Sequence, residues 1–187
     1  MAFIVPRSID MVYKKAHAVL SLWVCGLFFP TAVRSEAVDV YPNAEGTVGT
    51  RETAEYRNRK DLEVRLMPGT RCVGTGAFKD WKNLLSVTCE WSNGKDGVKI
   101  GAAAFKNCPN LSLVSFGKTG DIGMCAFEGC RSLAILNVSH SKNIFRSAFK
   151  NCVSLLELRV RKGCYWVDRE GALEGCPLLQ VVEQEAN

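Results

Sequence analysis

The sequence predicts a repeat protein of α/β class, a solenoid built from one short parallel strand plus a short helical or 3₁₀ turn per coil. Phe105, Phe127 and Phe149 stand 22 residues apart, and self-similarity at a fixed period in the twenties marks coils that bury their apolar surface only on their neighbours. Around each Phe recurs one frame: an aliphatic residue, Ala-Phe, a Cys three after the Phe and a Leu three after the Cys. It is written at Ile100–Leu111, Ile122–Leu133 and Ile144–Leu155. After each Leu comes a run with apolar residues at the first, fourth and sixth places, as in Leu155-Leu-Glu-Leu158-Arg-Val160. The last two alternate with a polar residue, the period of a half-buried strand.

Residues 1–37 read as a signal peptide or signal anchor. Lys14-Lys15 precedes the apolar run Ala18–Phe29, Pro30 follows, and Ser35 and Ala37 are small residues where a signal peptidase reads them. The run is shorter than the roughly 18–20 residues that span a bilayer. Residues 38–47 are polar, contain a Pro and read as a linker. Residues 48–187 read as the solenoid, with about five clear coils and one degenerate coil. The degenerate first coil has Val48-Gly49, Tyr56 in the Phe slot and Leu62, and reads as an end cap. In the second, Val73, Ala77-Phe78 and Leu84 fit while Trp81 takes the Cys slot. The interval from Phe78 to Phe105 is longer by five residues, assigned to a bulged loop at Trp91–Gly97. The last coil is read from Ala172-Leu173, Cys176 and Leu178.

Each slot has a physical reason. Ala is small where coils approach, and Phe fills the centre. The remaining half of each coil has room for one helical or 3₁₀ turn and no long helix. Cys108, Cys130, Cys152 and Cys176 stack as a column of thiols acting as compact hydrophobes. Adjacent coils lie about 4.8 Å apart, inside the Cα range of a disulfide, so column bridges stay open as an alternative. Cys72, Cys89, Cys125 and Cys164 lie off the column and are freer to pair. Asn110-Leu-Ser112 and Asn137-Val-Ser139 are glycosylation sequons in a secreted chain.

The chain has 187 residues, 47% of them apolar, and a net charge of +5. That describes one soluble domain with appendages. Four basic residues fall in the leader, so no nucleic-acid footprint is expected. No Cys-x-x-Cys or His-x-x-x-His spacing offers a zinc site, and no metal is expected. Gly74-Thr-Gly76 lacks the third glycine of a dinucleotide fingerprint. His17 and His140 are the only histidines. His17 lies in the leader and His140 in a loop after a strand, so neither a catalytic triad nor a cofactor is predicted.

The pattern Ile-Gly-x-x-Ala-Phe-x-x-Cys-x-x-Leu-x-x-Val-x-Ile resembles the BspA-type leucine-rich repeats, over roughly Val48 to Glu183. The resemblance implies a leucine-rich-repeat solenoid of the kind found in bacterial and protist surface or secreted proteins that bind host proteins or mediate adhesion, with structural repeat positions and no chemistry. The expected function is a non-enzymatic, secreted or cell-surface protein-binding module using its parallel-sheet face. The alternative is an intracellular scaffold or adaptor. The outward strand places give the candidate protein-binding residues Ser86, Thr88, Ser115, Ile135, Asn137, Glu157, Arg159 and Arg161. The expected partner is a protein; the only membrane contact expected is through the leader retained as an anchor.

Overall fold

Alternation and period fold into three stacked rows rather than one. The structure, a computed structural model, describes residues 35–89 and 97–185. The described residues belong to one compact unit. The leader up to Arg34 and the extra loop at 90–96 lie outside the described residues.

The first row holds the strands that follow each repeat's Leu, preceded by β1, which was not predicted: β1 (Glu36–Val40), β3 (Leu62–Leu66), β5 (Leu84–Cys89), β7 (Leu113–Phe116), β9 (Ile135–Val138), β11 (Glu157–Arg161) and β13 (Gln180–Gln184). It is divided into a four-stranded sheet β1-β3-β5-β7 and a three-stranded sheet β9-β11-β13. Every pairing in it is parallel. The second row was not foreseen. β2 (Thr47–Val48), β4 (Cys72–Val73), β6 (Val98–Ile100), β8 (Thr119–Ile122), β10 (Asn143–Ile144) and β12 (Tyr165–Trp166) form one six-stranded parallel sheet. The aliphatic residue that opens each repeat is buried there, as at Val73, Ile100, Ile122 and Ile144.

The third row is the Ala-Phe-x-x-Cys segment, where a helical turn was expected. It consists of linked turns; among the described residues helix occurs at α1 (Thr50–Thr53) with a 3₁₀ turn at Ala54–Tyr56, and at α2 (Arg169–Ala172). The N–H groups of Ala103, Phe105 and Asn107 donate to Met124 O, Ala126 O and Glu128 O of the next coil at 2.8, 2.8 and 2.7 Å. The intervening Ala104 and Lys106 donate back within their own coil to Gly101 O and Ala103 O. Aiming alternate amides along the stack requires left-handed residues at regular places. They are Gly76, Ala103, Cys125 and Ser147 in one column and Asp80, Asn107, Gly129, Asn151 and Gly175 in the other. The second column holds only Gly, Asn and Asp, the residues that tolerate this region best.

The rows enclose the core. Phe78, Phe105, Phe127 and Phe149 are wholly buried and stack with centroids 5.3, 5.1 and 5.8 Å apart at interplanar angles of 5°, 11° and 8°. Trp81, in the Cys slot of its coil, meets Phe78 edge-on at 5.1 Å. Close approach fixes the glycine before the turns: a Cβ on Gly123 would stand 2.7 Å from Ala102 N and 2.9 Å from Ile100 O. The first coil is bonded to the second. Thr53 is buried and its hydroxyl donates to Ala77 O of the next coil at 2.8 Å, while Glu52 accepts from Gly49 N at 2.8 Å.

Two boundaries are corrected. Residues 38–40, read as linker, belong to β1, which pairs along its length with β3, and Val38 and Val40 are buried. The alternation Val38-Asp39-Val40 was too short to be read as a strand. A cut after Ala37 would therefore remove Glu36, which ion-pairs with Arg59, and leave Val38–Val40 to hold β3. In the last coil the Leu slot belongs to Leu179, three after Cys176, which packs on the core; Leu178 is 59% exposed. Among the described residues no helix is long and apolar enough to cross a membrane.

Candidate functional site

Each front strand points alternate residues inward, so its remaining residues form a surface. On β11, Leu158 and Val160 are buried while Glu157, Arg159 and Arg161 are partly exposed. Parallel in-register pairing carries this from strand to strand. Glu63 lies beside Ser86, which lies beside Leu113; Arg65 lies beside Thr88, which lies beside Ser115. In the second sheet Ile135 lies beside Glu157, which lies beside Gln180, and Asn137 lies beside Arg159, which lies beside Val182.

All eight sequence-predicted residues stand on this face. Ser86, Thr88 and Ser115 gather on one sheet, and Ile135, Asn137, Glu157, Arg159 and Arg161 on the other. Ser115 and Asn137 are exposed; the other six are half-buried. No ladder joins β7 to β9, so the predicted columns are two groups and not one uninterrupted set. Sequence reasoning missed Asp39, Glu63 and Arg65, which extend the face on β1 and β3. The signal was present in Leu62-Glu-Val-Arg-Leu66, but the coil was taken as degenerate because its turn segment is polar.

The face carries its charges in pairs. Arg65 Nε donates to Asp39 Oδ1 at 2.7 Å, Ser35 Oγ donates to Glu63 Oε1 at 2.5 Å, and Arg159 pairs with Glu157 two places back on its strand. Pairs at this exposure contribute little stability, about 0–1 kcal/mol, but they orient charged groups. The turn side is charged differently: Lys106 Nζ lies 2.9 Å from Glu128 Oε2, and Lys150 Nζ 2.7 Å from Glu174 Oε2. Burial raises the Glu128 pKa, but hydrogen bonds from Lys106 and Cys125 and the two lysine charges outweigh it and hold the carboxyl below its usual range.

The sulfur column is both packed and hydrogen-bonded. Cys108, Cys130, Cys152 and Cys176 are thiols. Each Sγ donates to the carbonyl of a Phe in the preceding coil: Phe78, Phe105, Phe127 and Phe149, at 2.9, 3.1, 3.1 and 3.0 Å. Burial pushes Cys108 up to about 12 and raises Cys130 well above the usual thiol range. In the last two coils the interaction with Cys176 together with burial raises Cys152, and the same interaction lowers Cys176 to about 7. The off-column Cys72, Cys125 and Cys164 are also thiols, with pKa values raised by burial.

His140 follows β9 in a turn, as expected. Its Nδ1 lies 3.4 Å from Ser139 Oγ, and it lines a cavity of about 190 Å³ with Lys99, Asp121 and Lys142. Ser139 is buried beneath it, so this serine is not presented to a substrate. Among the described residues no group of three or more His, Cys, Asp or Glu is placed to hold a metal ion.

Comparison with known proteins agrees with this architecture. The sequence matches the BspA type leucine rich repeat region in six copies over residues 55–180. Comparison with curated proteins finds no match. The fold is similar to the crystal structure of a leucine rich cell surface protein from Faecalibacterium prausnitzii A2-165, at 24% identity and a TM-score of 0.58. The likeness covers 69% of this chain and 33% of that one, so the chain spans about one third of that protein's length.

Proposed function

The chain belongs to the BspA-type leucine-rich repeat family, and we propose that it is a non-enzymatic, secreted or cell-surface module that binds a protein ligand on its front strand face. Leucine-rich repeat folds of this family are typically non-enzymatic. The observation that carries the reading is the register: outward side chains repeat from strand to strand on a backbone fixed by parallel ladders. A rigid, mixed polar surface of that kind suits recognition of another protein. The surface location draws on the leader pattern of residues 1–37 and on the similar protein, which is itself a cell surface protein.

A second reading is favoured by one observation. Seven cysteines, Cys72, Cys108, Cys125, Cys130, Cys152, Cys164 and Cys176, are thiols, the state that a reducing compartment maintains. It makes the chain an intracellular scaffold using the same face. Cell fractionation with N-terminal sequencing separates the two: the proposed function predicts protein outside the cytoplasm, with the leader either removed or retained as an anchor. A photo-crosslinking residue at Ser115 or Asn137 should give adducts with a protein partner, and one at Arg146 on another side of the coil should not. Adducts from Arg146 alone would move the binding surface off the strands.

A further inference from the structure

A second surface is built where two turns enter the front strands. Arg57, Arg59 and Lys60 precede β3, and Lys82 and Asn83 precede β5. Together with Asp80 they line a cleft of about 310 Å³. Asn83 fastens the two turns to each other: its Nδ2 donates to Arg57 O at 3.1 Å and also to Arg59 O. Leu62 N donates to Asn83 O at 2.9 Å. The backbone under the cleft is therefore fixed by bonds that cross between coils.

Four cationic side chains face one carboxylate. Arg59 is engaged, pairing with Glu36 and lying over the Tyr56 ring at 5.0 Å. Asp80 accepts from Asn107 Nδ2 at 2.9 Å, which turns its carboxylate toward the next coil. Arg57, Lys60 and Lys82 are exposed and make no ion pair among the described residues. Every residue that lines the cleft is polar or charged. A planar guanidinium beside two ammonium groups fits a tetrahedral oxyanion, the guanidinium by paired N–H donation and the lysines as point charges. The cleft is open on its outer side, which suits a polymer passing through it better than an enclosed small molecule.

Taking the cell-surface location proposed above as the place where such a chain is met, we infer that this cleft binds a sulfated polysaccharide, with Arg57, Lys60 and Lys82 holding its sulfate groups. It is separate from the strand face, whose candidate residues lie on the strands themselves.

Binding of a heparin decasaccharide to the purified full chain, by titration at several salt concentrations, tests this. The triple variant Arg57→Ser/Lys60→Ser/Lys82→Ser should weaken binding at least tenfold and flatten its salt dependence by roughly one unit of slope for each cation removed. Its thermal transition should stay close to that of the parent. Asp80→Asn keeps an acceptor for Asn107 and tolerates the left-handed backbone, and it should tighten binding severalfold. The control triple Lys99→Ser/Arg131→Ser/Arg146→Ser should leave affinity within about twofold. Equal losses in both triples would reduce the effect to net charge and overturn the assignment. So would equal affinity for the desulfated decasaccharide, for poly-glutamate or for a single-stranded oligonucleotide of matched charge. Absence of heparin binding overturns the cleft while leaving the photo-crosslinking result on the strand face to stand by itself. Sulfate-specific binding by a protein that fractionates inside the cell would contradict the location instead.

Discussion

Replacing Phe127 with Ala should cut the stack at its middle. The ring is wholly buried and touches a ring on either side, with centroids 5.1 Å from Phe105 and 5.8 Å from Phe149. Phe→Ala in a core costs about 3–5 kcal/mol, and aromatic pairs contribute about 0.5–1.5 kcal/mol beyond burial. With two pairs lost and ladders on three sides resisting collapse, the cost belongs near the upper end, about 4–5 kcal/mol by the same scales. Because coils stack only on neighbours, weakening a middle coil also loosens the coupling of the two halves. Urea unfolding should follow the fluorescence of single-tryptophan variants that retain either Trp81, on the N-terminal side, or Trp166, on the C-terminal side. The two midpoints should coincide in the parent and separate in Phe127→Ala. Tyr56→Ala is the comparison; that ring is half-buried in the first coil, so its loss should cost about 1–2 kcal/mol. Equal costs at the two positions, or less than about 1 kcal/mol at Phe127, would refute the reasoning.

Other consequences can be checked on the same material. At Cys130 the Phe105 carbonyl lies within reach of a hydroxyl, so Ser should cost about 1 kcal/mol and no more than Ala; urea midpoints showing Ser worse than Ala would mean the sulfur acts by packing alone. Iodoacetamide labelling followed by mass spectrometry should find Cys176 modified first near neutral pH, with a rate that rises as pH passes about 7. Cys108, Cys130 and Cys152 should label only in denaturant, and early labelling of Cys130 would contradict its burial. Gly123→Ala puts a Cβ against backbone of the preceding coil and should destabilise by about 1–3 kcal/mol in the same urea assay. An unchanged midpoint would show that the coils are less closely stacked than described.

What was legible in the sequence was whatever the 22-residue period repeats without error. The Phe stack, the Cys column and strands β5 to β11 came from slots filled alike in successive coils. β1 was missed because its coil has no Phe and no Cys to set the frame. The second ladder was missed because four of its six strands are two residues long and show no alternation to count. The turn row was legible in part. Asn107, Gly129 and Asn151 mark one left-handed column by residue type, whereas Ala103, Cys125 and Ser147 occupy the other through the demands of the ladder alone. The candidate face was readable where strands follow a clear frame, and lost at Glu63 and Arg65 where the frame fades. The cleft at Arg57 and Lys82 depends on a 22-to-25-residue separation closed by the coil, and charges so far apart in sequence give no local pattern.

The claim that the strand face binds the partner is tested most directly by titrating the crosslinked partner, once identified, against paired charge reversals. Arg159 and Arg161 share a face on β11, so Arg159→Glu/Arg161→Glu should weaken binding at least tenfold while the thermal transition stays close to that of the parent. Arg131 and Arg146 are exposed on other parts of the coil, and Arg131→Glu/Arg146→Glu should bind as the parent does. Binding lost with the second pair and retained with the first would contradict the account.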